Sequence, residues 1–185
     1  MAHNITFKRL YDNDALKYVH AAKYRFQLPY QPSTSNPNLN GETIEGHLSI
    51  WDGLNANLEY IVAFQWLINP WATNFGTIQA WDNPGVWRAV GQLTPDTAWH
   101  EVQMILDTGK AGTGLIIDGV QYPSYFTTLT HPDWGDEIAA RFAAEIISLY
   151  PGEQGNGALH KAYFKEWSWV WEPRNVYLPL IMRSS

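Results

Sequence analysis

The sequence contains no cysteine. That excludes disulfides, thiol nucleophiles and thiolate-held metals, and it removes any redox clue to the compartment. Charge is also scarce: 16% of the 185 residues are charged, and 12 Lys+Arg against 18 Asp+Glu leave a formal net charge of -6. A chain that gains affinity by neutralising phosphates needs excess cation, so this balance argues against a nucleic-acid partner. Long hydrophobic runs are missing too. The longest, such as 61–64, fall far short of the roughly 20 residues that cross a bilayer, and no membrane partner is expected. Met1-Ala2-His3-Asn4 lacks the basic and apolar regions of a secretory signal. The chain is expected to be cytoplasmic if complete and secreted if a leader has been removed.

What the chain has in excess is aromatic: 15% Phe, Trp and Tyr, including 10 Trp and 10 Tyr. With 45% apolar residues it can bury a sizeable core, and its length suits a single domain over 1–185. No linker divides it. The stretch Gln31-Pro32-Ser33-Thr34-Ser35-Asn36-Pro37-Asn38 reads as a long early loop. Beyond it, short β-branched and aromatic runs recur between turn signals, the pattern of an all-β sandwich or barrel. Strands are predicted over 46–51, 60–68, 76–81, 86–93, 100–107, 114–117, 142–150 and 161–171. Asp52-Gly53, Asn69-Pro70, Asp82-Asn83-Pro84-Gly85, Asp107-Thr108-Gly109, Asp118-Gly119 and Pro151-Gly152 punctuate them. Two segments fit less well. The helix formers in 15–24 suggest a short helix, and 136–150 places Ile138, Phe142, Ile146 and Leu149 on a helical stripe. For its second half the β-branched Glu145-Ile146-Ile147-Ser148-Leu149-Tyr150-Pro151 favours a strand.

The order of segments over 41–171 resembles the concanavalin A-like lectin and glucanase superfamily. The resemblance is carried by Trp99-His100-Glu101-Val102-Gln103-Met104-Ile105-Leu106-Asp107, a turn, and Leu115-Ile116-Ile117-Asp118-Gly119-Val120. A strand opened by Trp-His that leads through a hairpin into one ending in Asp-Gly is similar to the centre of laminin-G-like domains and of laminarinase-like β-glucanases. The resemblance implies an antiparallel jelly-roll sandwich with at most one or two short helices. In those glucanases the catalytic strand reads E-I-D-I-x-E, with carboxylates about 5 Å apart on one strand face. The equivalent strand here is Gly76-Thr77-Ile78-Gln79-Ala80-Trp81-Asp82. Thr77 and Gln79 replace the first two acids, and only Asp82 remains for the third. Glucanase hydrolysis by that route is not expected, which favours the lectin-like branch.

Strict alternation puts Thr77, Gln79 and Trp81 on one face, and His47, Ser49 and Trp51 on another. Facing one groove, they would combine indole planes for stacking on sugar C–H faces with neutral groups for hydroxyls. Trp51, His47, Thr77, Gln79, Trp81, Trp87 and Trp169 are therefore the expected ligand-binding residues, though any single Trp fits a core equally well. Trp167-Ser168-Trp169-Val170-Trp171 lines up three indoles, either as a core wall or as a stacking platform, and a third reading, a structural or oligomerising sandwich, places the strand 161–171 in the subunit interface of a homo-oligomer. Among acid–base candidates, His47, His100 and His160 and the carboxylates Glu45, Glu59, Glu101, Asp118 and Glu145, the catalytic shortlist is Glu145, His100 and Glu59. Glu145 sits among alanines and isoleucines, with Arg141 on its own strand face as an ordinary partner. The spaced oxygens of 52–59 allow a structural calcium ion without matching an EF-hand, and no other metal or cofactor is expected. The leading expectation is a lectin-like sandwich that binds carbohydrate, or another flat and partly apolar molecule, in an aromatic concave groove. The alternative is an enzyme in the same groove: a glycan-active hydrolase or lyase with a displaced carboxylate, or a small-molecule isomerase or cyclase.

Overall fold

Alternation of side chains across strands decides most of the architecture. In a computed structural model, the described residues are 2–34, 42–52, 61–82, 85–126, 138–148 and 161–173. They form β1 (Ala2–Tyr11), β2 (Tyr18–Gln27), β3 (Glu42–Asp52), β4 (Val62–Leu67), β5 (Thr77–Asp82), β6 (Val86–Gln92), β7 (His100–Asp107), β8 (Gly112–Ile117), β9 (Val120–Tyr122), β10 (Ile138–Ser148) and β11 (Tyr163–Pro173). One sheet runs β1-β10-β3-β4-β5-β6 and the other β11-β2-β7-β8-β9. Every pairing is antiparallel. The expected all-β sandwich is what the chain forms.

The core lies between the sheets. From the second sheet β2 sends in Ala22, Tyr24 and Phe26, and β7 sends in Val102, Met104 and Leu106. Opposite them stand Ile44, Leu48 and Ile50 of β3, Phe64 and Trp66 of β4, Ile78 of β5, and Ile138, Phe142 and Ile146 of β10. Each large side chain so buried contributes about 1.5–3 kcal/mol relative to exposure. Trp66 also donates its indole N–H to the carbonyl of Leu93 at 2.8 Å, which answers the polar demand of a buried tryptophan. The turn Asp118-Gly119 joins β8 to β9 with both residues at positive φ, 51° and 78°, the geometry a two-residue hairpin requires.

The short helix expected in 15–24 is corrected, and the strand favoured for the second half of 136–150 is borne out and extended. In 15–24 the only helical piece is a 3-10 turn at Ala15–Lys17; β2 follows at once, because His20, Ala22, Tyr24 and Phe26 alternate inward and burial outweighs the helix propensity of Ala and Lys. The stripe of Ile138, Phe142 and Ile146 belongs to a strand throughout Ile138–Ser148. A spacing of four also lands on one strand face, and Ala140 and Ala144 fill the positions between. Leu149, the calcium-like oxygens of 53–59 including Glu59, and His160 lie outside the described residues. In β11, Glu166 and Trp167 together oppose Tyr24 of β2, a bulge with Glu166 at φ 56°. Trp167 and Trp169 turn inward against the core, with Trp167 stacked on Tyr24 at 4.8 Å, so this part of the tryptophan row is core wall.

Candidate functional site

Strand β3 is buried on both faces. Ile44, Leu48 and Ile50 enter the core, so Thr43, Glu45, His47 and Ser49 point the opposite way, onto the outer face of the six-stranded sheet, and are nonetheless withdrawn from solvent. The same reasoning assigns Arg141 and Glu145 of β10, Gln65 of β4, and Thr77, Gln79 and Trp81 of β5 to that outer face. Register then aligns them. Glu145 lies opposite Glu45, Glu45 opposite Gln65, and Gln65 opposite Gln79, giving a polar row across four strands. Gln65 donates its amide to Gln79 Oε1 at 2.5 Å, and Gln92 of β6 donates to Thr77 Oγ1 at 2.9 Å.

The two ends of this row differ. At the β10–β3 end, Glu45, His47 and Glu145 are all buried, and one donor atom from each lies within 4.8 Å of the others. Burial, reinforced by the charge of Arg141, pushes His47 down to about 3. The imidazole is therefore neutral at physiological pH. Burial raises Glu145 above the usual carboxylate range, with Arg141 opposing. At the β5–β6 end the face is more open. Trp81 and Trp87, opposite each other across the strand pair, meet edge to face at 5.0 Å and are each partly exposed. Gly85, at φ 87° in the turn between their strands, holds a conformation side chains rarely adopt, and a Cβ there would lie 3.1 Å from the Trp81 ring.

Of the sequence-derived ligand residues, His47, Trp51, Thr77, Gln79, Trp81 and Trp87 share this outer face, on three strands. Thr77 is buried and Gln79, Trp51, Trp81 and Trp87 are partly exposed. Trp169 stands apart, on the inner face of the other sheet against His20 and Phe142. Among the described members of the catalytic shortlist, Glu145 reaches this face and His100 does not. His100 starts β7 in the other sheet, its Nδ1 2.7 Å from Asp118 and its Nε2 3.2 Å from Asp96. Its ring lies against Phe26 and Trp66. Asp118 also accepts the Glu101 backbone N–H at 2.8 Å, so this histidine closes a hairpin. Gln65 and Gln92 were not singled out from the sequence. Gln65 is the lone polar residue of an apolar run, and that interruption is the signal that marks it.

No family model matches the chain, and no curated protein matches it. Among solved structures it is similar to a tetrameric galectin from the ball sponge Cinachyrella sp., at 12% identity and a TM-score of 0.49, over 88% of this chain and 98% of that one.

Proposed function

We propose that the outer face of the six-stranded sheet binds carbohydrate, in the manner of a lectin-like sandwich of the concanavalin A-like class, and does not hydrolyse it by the glucanase route. The supporting observation is the Trp81–Trp87 indole pair set on the same face as the neutral hydrogen-bonding groups Thr77, Gln79, Gln65 and Gln92. Indoles offer stacking area at low entropic cost, and amides offer both donor and acceptor to a sugar hydroxyl. Thr77 and Gln79 cannot serve as carboxylate nucleophiles.

Glycan arrays followed by titration calorimetry test this. A glycan bound by the native chain should bind about tenfold more weakly, roughly 1.4 kcal/mol, to each of Trp81→Ala and Gln79→Ala. Absence of any glycan ligand, or equal affinity in both variants, overturns the reading. One observation favours the enzyme alternative: oxygens of Glu45 and Glu145 approach within 4.8 Å, near the spacing of about 5 Å in a retaining pair. Both carboxylates, however, are less than a tenth exposed, which leaves little access for a pyranose ring. Turnover abolished by Glu145→Gln would restore that alternative.

A further inference from the structure

The buried end of the polar row has a chemistry that glycan stacking does not use. Glu45 and His47 stand two residues apart on the outer face of β3, and Glu145 faces Glu45 directly from β10. Like charges set opposite each other on neighbouring strands repel, and burial removes the water that would screen them. Among the described residues, the charged group nearest on this face is Arg141, two residues from Glu145 on β10. From β4, Ala63, Gln65 and Leu67 supply no charge, and beneath β3 the phenol of Tyr24 is neutral.

We propose that Glu45, His47 and Glu145 bind one divalent transition-metal ion, Zn²⁺ or Mn²⁺. The donor set is one imidazole nitrogen and two carboxylate oxygens, within 4.8 Å of one another. At tetrahedral angles, ligands about 2.0–2.2 Å from a shared ion lie roughly 3.3–3.6 Å apart, so closure needs side-chain movement of up to roughly 1.5 Å. Imidazole with carboxylates suits a borderline ion, whereas calcium demands six to eight oxygens, more than this set offers. A dication also removes the repulsion between the facing carboxylates.

A second observation on the same face points to a polar guest. The hydroxyls of Thr43 and Ser49 flank the triad on β3, at 1% and 0% exposure, with no hydrogen-bond partner among the described residues. Buried hydroxyls left so are costly, and ordered water is the ordinary remedy. Three protein ligands leave at least one coordination position for water, which would place such a molecule beside them. An ion needs far less room than a sugar, consistent with the burial that disfavours a hydrolytic site.

The full chain, stripped with a chelator, is titrated with ZnCl₂, MnCl₂ and CaCl₂ by calorimetry, with bound metal counted by mass spectrometry. One equivalent of Zn²⁺ or Mn²⁺ per chain, little Ca²⁺, and a Tm raised by several degrees are expected. Glu45→Gln and Glu145→Gln should each weaken the ion at least about tenfold. Binding that persists unchanged in both variants belongs to other histidines and overturns the site, as does the absence of stoichiometric binding below 100-fold molar excess. Should a variant fail to fold, nuclear magnetic resonance of the native chain decides: addition of Zn²⁺ must shift the His47 ring signals, and unshifted signals refute the proposal. Glycan affinity is read separately, so either proposal can fail alone.

Discussion

Gly46→Ala should be among the most damaging single-methyl changes this protein can suffer. Gly46 lies on the core-facing side of β3, an interior strand between β10 and β4. A Cβ built there would sit 2.2 Å from the Tyr24 hydroxyl and 2.7 Å from Cε1 of Phe64. The closer approach is more than about 1 Å inside the optimal separation of non-bonded heavy atoms. Neither neighbour can withdraw cheaply, because both are fully buried and the Tyr24 ring is held by Trp167 at 4.8 Å and Phe142 at 5.4 Å. Overpacking of this kind costs about 1–3 kcal/mol, and more where the sheets must part. The lower chain entropy of alanine returns about 0.4–1 kcal/mol. A net loss of about 2 kcal/mol or more is expected, read from urea unfolding followed by tryptophan fluorescence with m unchanged. The double variant carries the sharper test. Tyr24→Phe deletes the clashing oxygen, which has no hydrogen-bond partner among the described residues, so alone it should be neutral or stabilising by about 1 kcal/mol. Combined with Gly46→Ala it should recover about half the loss, since the Phe64 contact and the Tyr24 Cζ at 3.3 Å remain. Gly46→Ala within about 0.5 kcal/mol of the native chain, or no coupling between the two changes, would refute the reasoning.

Other outcomes follow from the same geometry. Burial, then the carboxylates of Glu45 and Glu145, holds the Tyr24 phenol well above its ordinary value of 10.0. The unfolded chain therefore releases that proton first, and stability intact below pH 10 should fall by about 1.4 kcal/mol per unit above it; alkaline unfolding of Tyr24→Phe should lack this slope. Gly91→Ala meets Tyr122 at a similarly short 2.4 Å, yet Tyr122 is only partly buried, on a three-residue edge strand. Its ring can swing aside, and thermal unfolding should register a loss of no more than about 1 kcal/mol. Asp118→Ala removes the partners of His100 Nδ1 and of the Glu101 N–H, and chemical denaturation should show a loss of about 2 kcal/mol.

The fold was largely legible because β7 and β8 alternate cleanly and end on strong turn signals. β2 was hidden by Ala21-Ala22-Lys23, whose propensity argues for helix until Phe26 and Tyr24 are seen to be buried. β10 was ambiguous for a geometric reason, since residues four apart satisfy either period. The site was half legible. Alternation alone put Thr77, Gln79 and Trp81 on one face, but the meeting of Glu45 with Glu145 depends on β10 inserting between β1 and β3, and strand order across some hundred residues leaves no local trace. For Trp169 the parity that aligned it with Trp167 and Trp171 carried no information about which side of the sheet they shared.

The bulge in β11 bears on how copies of this protein meet. Among the described residues β11 is the outermost strand of its sheet, and an edge of that kind presents a row of backbone donors and acceptors that another chain's strand could join. Where Glu166 and Trp167 crowd against one partner residue, the regular spacing of that row is interrupted, and Lys165 and Glu166 place opposite charges at the break. An intruding strand can match the rim on either side of the interruption but not through it. The chain thus keeps a tryptophan-rich strand at its border without offering a full-length template for fibrous growth.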